Sequence, residues 1–268
     1  MPLLQEPARE SAVRWLTGAS KGIGRALAAS LARRKYDLLL VARSSADLAT
    51  LTTTLAAAHG IQAHYLALDL SLPDAAQQVR NWCIEQQFKV SLLVNNAGYG
   101  VWGYFDELPL SDQSNMLQLN MQLPVELSYH MIPLLKEHPK AYILNVSSTA
   151  AYQAVPTMTL YAASKSFMLS FSRGLRYELK RTQIAVSCLC PGPVNTNFIE
   201  RAKMQAVQAT AEKFGMTPEA VAEKALKGLF SGKAEIIPGT LNAVSALGAR
   251  LLPKAMIERI AAGLYKTK

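Results

Sequence analysis

Val13-Arg14-Trp15-Leu16-Thr17-Gly18-Ala19-Ser20-Lys21-Gly22-Ile23-Gly24, running on into RALAASLARRK through Lys35, is the stretch that decides the fold. Residues 13–17 (VRWLT) read as a short strand and Arg25 to Lys35 as an apolar helix. Between them the glycines stand in a G-x-x-x-G-x-G spacing rather than G-x-G-x-x-G. Glycine lets the backbone turn sharply and come close to a ligand, and a helix N-terminus offers free N–H groups and the positive end of its dipole. A strand, a glycine turn and a helix start together suit a pyrophosphate group. A plain tight βα turn is the alternative; the flanking strand and apolar helix favour the nucleotide site.

The same alternation repeats outward from this unit. Strands are expected near 13–17, 37–42, 62–67, 92–95, 141–147, 184–190 and 235–237, with helical patterns between them. That order predicts an α/β, Rossmann-type doubly wound fold: a seven-stranded parallel sheet with helices on both faces. The 268 residues, half of them apolar, suit one domain spanning 1–268. No internal repeat or Pro/Gly/Ser-rich linker divides it. Residues 195–216 carry charge and methionine without a strand pattern and read as a substrate-loop insertion over the C-terminal edge of the sheet. Residues 241–268 read as two amphipathic helices broken at Pro253.

The second strand, DLLLVA, ends at Ala42-Arg43-Ser44, where a carboxylate for the ribose 2′-hydroxyl of NAD would lie. Arg43 and, inside the glycine turn, Lys21 would instead offer a 2′-phosphate two cations and no carboxylate, which favours NADP(H). Both could equally be solvated surface charges. Asp69, at the end of HYLALD, is placed to accept from an adenine amino group, or to cap the helix that starts near Pro73.

Of ten tyrosines, only Tyr161 has a lysine four residues on, Lys165. On a helix the two point the same way, roughly 5–6 Å apart at Cβ. The cation favours phenolate and is expected to draw the phenol down from about 10 by roughly one to three units, making a proton donor for work near neutral pH.

Taken together, these residues resemble the short-chain dehydrogenase/reductase family. Thr17-Gly18-Ala19-Ser20-Lys21-Gly22-Ile23-Gly24 is similar to its TGxxxGxG cofactor motif, Asn95-Asn96-Ala97-Gly98 to its NNAG motif, and Pro191-Gly192-Pro193-Val194-Asn195-Thr196 to its PG motif beside the nicotinamide. Asn120, Ser148, Tyr161 and Lys165 match its four catalytic positions. Ser147 could compete with its neighbour, but the thirteen-residue step to Tyr161 selects Ser148. The resemblance implies a cofactor site made of Gly18, Ser20, Lys21, Gly22, Ile23 and Gly24, then Arg43, Asp69 and Leu70, then Asn96, Ala97 and Gly98. Tyr161, Lys165, Pro191, Gly192, Val194 and Thr196 would complete it. It further implies hydride transfer from NADPH to a ketone or aldehyde. In that reaction Tyr161 donates the proton, Ser148 holds the carbonyl oxygen, Lys165 holds the nicotinamide ribose, and Asn120 holds a water beside Lys165. From its place in a helical run, Ser111 to Leu135, Asn120 alone would read as solvent-facing. The stretches 95–105, 144–172 and 189–198 resemble a bacterial branch of general carbonyl or ketoacyl reductases, with very-long-chain 3-oxoacyl reductases and 17β-hydroxysteroid dehydrogenases as more distant kin.

Substrate is read from Gly98-Tyr99-Gly100-Val101-Trp102-Gly103-Tyr104-Phe105, which follows the fourth strand, with Tyr152, Val155, Met158, Phe198 and Met204. These suit an apolar, adaptable pocket for a hydrophobic ketone such as a 3-oxoacyl chain, although several could be core residues. Oxidation of an alcohol or hydroxysteroid with NADP⁺ uses the same residues in reverse, and a catalytically silent NADP-binding regulator is the rival from outside enzymes.

The remaining features bound the partners. No metal is expected: His59, His64, His130 and His138 lack ligand spacing and read as surface or helix-end residues. Cys188 and Cys190 share a strand face but are poorly placed for a disulfide, and with Cys83 they suit a reducing, cytoplasmic setting. MPLLQEPARES lacks the apolar core of a signal peptide, and no run reaches the roughly 18–20 apolar residues of a membrane span. The formal charge of +9 is spread over helices without the aromatic interleaving of a nucleic-acid face. Only the tail concentrates cations, which suits packing on the domain or a partner subunit, or peripheral contact with an anionic membrane. The family commonly pairs the helices around 107–136 and 157–180, which implies a homodimer or homotetramer.

Overall fold

The computed structural model describes residues 12–195 and 215–264. Residues 1–11 and 265–268 and most of the 195–216 insertion, with Thr196, Phe198 and Met204, lie outside them. The chain runs β1 (Ala12–Thr17), α1 (Gly22–Arg33), β2 (Asp37–Ala42), α2 (Ser45–His59), β3 (Ala63–Ala67), α3 (Ala75–Glu85) and β4 (Lys89–Asn95). It continues through α4 (Leu110–Leu117), a π-helical segment (Gln118–Gln122), α5 (Leu123–Leu135), β5 (Ala141–Val146), a 3-10 turn (Thr149–Tyr152), α6 (Thr159–Glu178) and β6 (Ile184–Leu189). After the undescribed segment come α7 (Pro218–Phe230), β7 (Glu235–Ile236), α8 (Thr240–Leu251) and α9 (Lys254–Leu264).

All seven strands are parallel in the order β3-β2-β1-β4-β5-β6-β7. Parallel strands covered on both faces must be apolar on both, and the central ones are. Leu16, Leu40, Val94 and Leu144 face α1, α2 and α7, while Trp15, Leu39, Leu93 and Ile143 face α3, α5 and α6. Strand order reverses between β1 and β4, so a crevice opens at their C-terminal ends.

Six strands lie within a residue of expectation at each end, but β4 begins at Lys89 rather than 92. Its pairing with β1 slips between Val13 and Arg14, which face Val90 and Leu92. The slip makes Ser91 an extra residue, so Val90 and Leu92 pack on opposite faces of the sheet although they stand two apart. The sequence alternation is broken at that point, which hid the first turns of the strand.

A buried polar chain fastens the sheet to its long helices. Asn95 Nδ2 on β4 donates to Asn145 Oδ1 on β5 (2.8 Å) and to Ser128 Oγ on α5 (3.3 Å). Asn145 Nδ2 donates in turn to Ser172 Oγ on α6 (2.9 Å). Removing one member leaves buried partners unsatisfied, which costs more than the bond itself contributes. Asn145→Ala is therefore expected to lower stability by about 1–3 kcal/mol, read as a fall in the urea midpoint. An unchanged midpoint would mean that the chain adds nothing to the fold.

Candidate active site

The crevice is built on one threonine. Thr17, buried at the end of β1, donates from Oγ1 to Val94 O (3.1 Å) and accepts from the backbone of Asn96 (2.9 Å) and Ala97 (3.0 Å). Asn96 Nδ2 returns bonds to Thr17 O (3.0 Å) and Gly18 O (3.2 Å). Gly18 turns away from the strand at φ +63°, and a Cβ on Gly24 would lie 2.2 Å from Gly18 O and 2.6 Å from Asn96 Nδ2. Only glycine lets α1 start this close to the strand ends. Gly24 thus sets the packing from behind, while Gly18, Ser20, Lys21, Gly22 and Ile23 line the cleft.

The cleft has a volume of about 870 Å³ and runs along the C-terminal edge of the sheet. The first turn of α1 carries no acidic residue and no side-chain cap from Lys21, so its free N–H groups and dipole favour an anion. Arg43, Asp69 and Leu70 line one end. Lys21 and Arg43 are exposed there. Asp47 lines it too, a carboxylate at the end expected to offer a 2′-phosphate two cations and no carboxylate. Asp47 sits in the first turn of α2, where Ser44 Oγ caps its N–H (3.2 Å); the strand-end reading stopped at Ser44 and missed it. Asp69 does not cap α3, whose N-cap is Asp74; its Oδ1 accepts instead from Ser71 N (3.0 Å) and Ser71 Oγ (2.7 Å).

At the other end, β5 and α6 supply Ser148, Tyr161 and Lys165, all lining the cleft. Ser147 and Ser148 divide as the spacing expects. Ser147 Oγ is spent on Lys165 O (2.7 Å), whereas Ser148 opens the 3-10 turn and its Oγ accepts from Ala150 N (3.1 Å). Lys165 Nζ lies 5.6 Å from the centre of the Tyr161 ring and donates to Val146 O (3.1 Å). Its burial pulls the ammonium down to about 8, against a smaller upward pull from Cys188 and Cys190.

Asn120 is the instructive departure. It is 1% exposed rather than solvent-facing, because a π-helical segment interrupts the α4–α5 run there and turns it inward. Its Nδ2 donates to Tyr99 O (2.9 Å) and Ser164 Oγ (3.1 Å), and its Oδ1 accepts from Tyr99 N (3.1 Å). A Cβ on Gly98 would stand 2.8 Å from Asn120 Oδ1 and 3.5 Å from Lys165 Nζ, so both crowd the same glycine. Both polar atoms of the side chain thus bond to protein. Ala97, Gly98, Pro191, Gly192 and Val194 line the cleft between the two ends.

Met116, Val155, Met158 and Tyr161 form an apolar cluster with Tyr99, Val101 and Trp102 packed against it. Tyr152 leaves this wall: its hydroxyl donates to Glu235 Oε1 (2.7 Å), and Arg250 lies 4.7 Å above its ring. Tyr104 and Phe105 are exposed and stand off the cleft. Asn115 and Leu119 join it unforeseen, although their four-residue spacing on one helix face was legible.

Outside the cleft, Cys188 and Cys190 are buried thiols with Sγ atoms 3.8 Å apart, and His138 is buried at the C-terminal end of α5, where its backbone N–H donates to Leu135 O (3.3 Å). Among the described residues no three His, Cys, Asp or Glu side chains could together hold a metal ion, and no helix is long and apolar enough to cross a membrane.

The chain is 31% identical over 204 residues to a very-long-chain 3-oxoacyl-CoA reductase of Anas platyrhynchos, covering 74% of this chain and 65% of that protein. It therefore spans just under two thirds of the length of such curated relatives. A short-chain dehydrogenase from Sphingobium yanoikuyae in complex with NADPH superposes with a TM-score of 0.80 at 28% identity, covering 89% of this chain and 93% of that one. A short-chain dehydrogenase/reductase from Burkholderia phymatum in complex with NAD gives 0.78 at 25%, covering 89% and 92%. The family model for the short chain dehydrogenase matches residues 13–206, more than half of the sequence. With the parallel sheet, the glycine turn at its switch point and these relatives in agreement, the chain belongs to the short-chain dehydrogenase family.

Proposed function

We propose that the protein reduces a hydrophobic ketone or aldehyde, a 3-oxoacyl chain among the candidates, using NADPH. The observation that carries this reading is the meeting of Ser148, Tyr161 and Lys165 in the same cleft as the glycine-floored anion site. The residues present fit a dinucleotide: the uncapped start of α1, and the close approach at Gly18 and Gly24 that a side chain would fill. Gly18, Ser20, Gly22 and Ile23 would hold the pyrophosphate, Asp69 and Leu70 the adenine, and Asn96, Ala97, Gly98, Pro191, Gly192 and Val194 the nicotinamide half. Thr196 is assigned with them from the sequence motif alone. Lys21 and Arg43 support a 2′-phosphate and hence NADP(H), with the Asp47 carboxylate opposing it. When bound, the nicotinamide supplies the hydride.

The chain's own residues do the rest. As the carbonyl is reduced, charge builds on its oxygen, so fixed donors aimed there stabilise the transition state. Ser148 holds that oxygen and Tyr161 gives it a proton. The positive charge of Lys165 beside the Tyr161 ring favours the phenolate left behind, and its ammonium binds the ribose hydroxyls. Asn120 holds a water beside Lys165, as the family match implies, while its side chain fastens the Tyr99 loop to α6 through Ser164. Val155, Met158 and Tyr99 shape an apolar wall, which supports a hydrophobic substrate. The same reading has the chain work as a single unit in a reducing cytoplasm. It would do so as a homodimer or homotetramer through α5 and α6, on which Tyr129 and Tyr177 stand exposed.

The test is NADPH and NADH consumption over a 3-oxoacyl thioester series, a steroid ketone, aromatic aldehydes and a sugar ketone. Turnover on the apolar carbonyls, with NADPH preferred, is expected. Tyr161→Phe should lower it by about 10²–10⁴-fold while NADPH still binds. Bound NADPH with no turnover on any member would favour a silent NADP-binding regulator instead.

The Lys165 ammonium, held at about 8 by burial, gives a second expectation. Below that pH the cation is present to meet the anionic cofactor; above it the amine is neutral and the attraction fades. The Kd for NADPH should therefore stay flat from pH 6 to 7.5 and rise above pH 8, approaching about tenfold per unit at most. A flat Kd to pH 9.5 by fluorescence titration would remove Lys165 from cofactor binding as a charge.

A further inference from the structure

Seven of the fifteen large exposed apolar side chains among the described residues stand on the last two helices and the break between them. On α8, Leu241, Val244, Leu247 and Leu251 are 54–75% exposed and recur at helical spacing, while Ala246 on the opposite side is buried. Leu252 follows at the break, and Met256 and Ile260 on α9 are about half exposed, with Ile257 and Ala261 buried beneath. Both helices are therefore seated on the protein by one face and leave a second apolar face turned outward. Isolated exposed leucines need no explanation, but a clustered stripe does.

Charge singles out what covers it. Residues 240–268 hold five basic side chains against one acidic, Glu258. Arg250 is engaged by Glu235 (2.7 Å), but Lys254 and Arg259 are exposed beside the stripe. A second copy of the chain would set these cations against themselves. An anionic headgroup layer would neutralise them while its acyl boundary takes up the leucines.

We infer that α8 and α9 form a docking surface for an anionic lipid membrane, on which the protein lies without crossing it. The surface adjoins the cleft. Asn242 on α8 packs so tightly on Gly192 that a Cβ there would fall 2.3 Å from its Oδ1, and Arg250 covers Tyr152 of the 3-10 turn that follows Ser148. A docked molecule thus holds this wall of the cleft near the lipid. That consequence for substrate entry, though not the docking itself, rests on the reduction proposed above.

The experiment is co-sedimentation of the full 268-residue chain with vesicles of phosphatidylcholine alone or of phosphatidylcholine with phosphatidylglycerol. Binding to the anionic vesicles should exceed binding to the neutral ones by about tenfold and be released by high salt. Val244→Glu with Leu251→Glu should lose that binding by about tenfold while NADPH affinity, which reports the intact fold, is kept. Lys254→Gln with Arg259→Gln should erase the preference for anionic lipid. Equal pelleting with both vesicles, or a Val244/Leu251 variant that binds like the parent, overturns the inference. So does failure of the parent to pellet, including the case where the glutamate variant instead halves the mass in size-exclusion chromatography, which assigns the stripe to a second copy. Pelleting needs no substrate, so this result stands apart from the turnover panel.

Discussion

Every part of the site hangs on the hydroxyl of Thr17. One buried Oγ1 donates to β4 and accepts from the two amides that follow it, while Asn96 returns its own amide to β1 and the glycine turn. The strand ends on either side of a switch point diverge, and nothing in a parallel ladder holds them at a fixed gap. This clamp does. It also leaves no room between Gly18 and Gly24 for a side chain, so the helix dipole of α1 is delivered to the floor of the cleft.

From there the constraint passes along β4 to the chemistry. Asn95, the last residue of the strand, ties into Asn145, and Gly98 three residues on is pressed by both Asn120 and Lys165. Asn120 stands where it does because the helix carries a π-helical segment at that residue. An ammonium buried as deeply as that of Lys165 is costly to keep charged, and its hold on Val146 O offsets only part of the desolvation. That incompletely met charge lies where an anionic ligand would relieve it.

The seven parallel strands and most of their ends could be read directly, because apolar runs between glycine and charged punctuation leave few other choices. What escaped the reading has identifiable causes. The β-bulge at Ser91 erased the alternation that would have extended β4 to Lys89. A π-helical segment has no compositional mark, so Asn120 looked like an exposed helix residue until the backbone was seen to turn it inward. Asp47 was hidden because attention stopped at the strand end, though an acidic residue three past an N-cap serine is a common helix start. Tyr152 looked like a pocket residue and is instead held away by Glu235 and Arg250, partners far along the chain that no local pattern reveals.

The claim that the Thr17 clamp makes the cofactor floor can be tested by one affinity measurement. Thr17→Val keeps the shape of the side chain and removes the hydroxyl, leaving the amides of Asn96 and Ala97 without their acceptor. At about 1–3 kcal/mol for such buried, orphaned donors, the floor should loosen. The account predicts that fluorescence titration with NADPH shows a Kd raised by about tenfold or more in a variant whose circular dichroism is unchanged. A folded Thr17→Val protein that binds NADPH as tightly as the parent would contradict it.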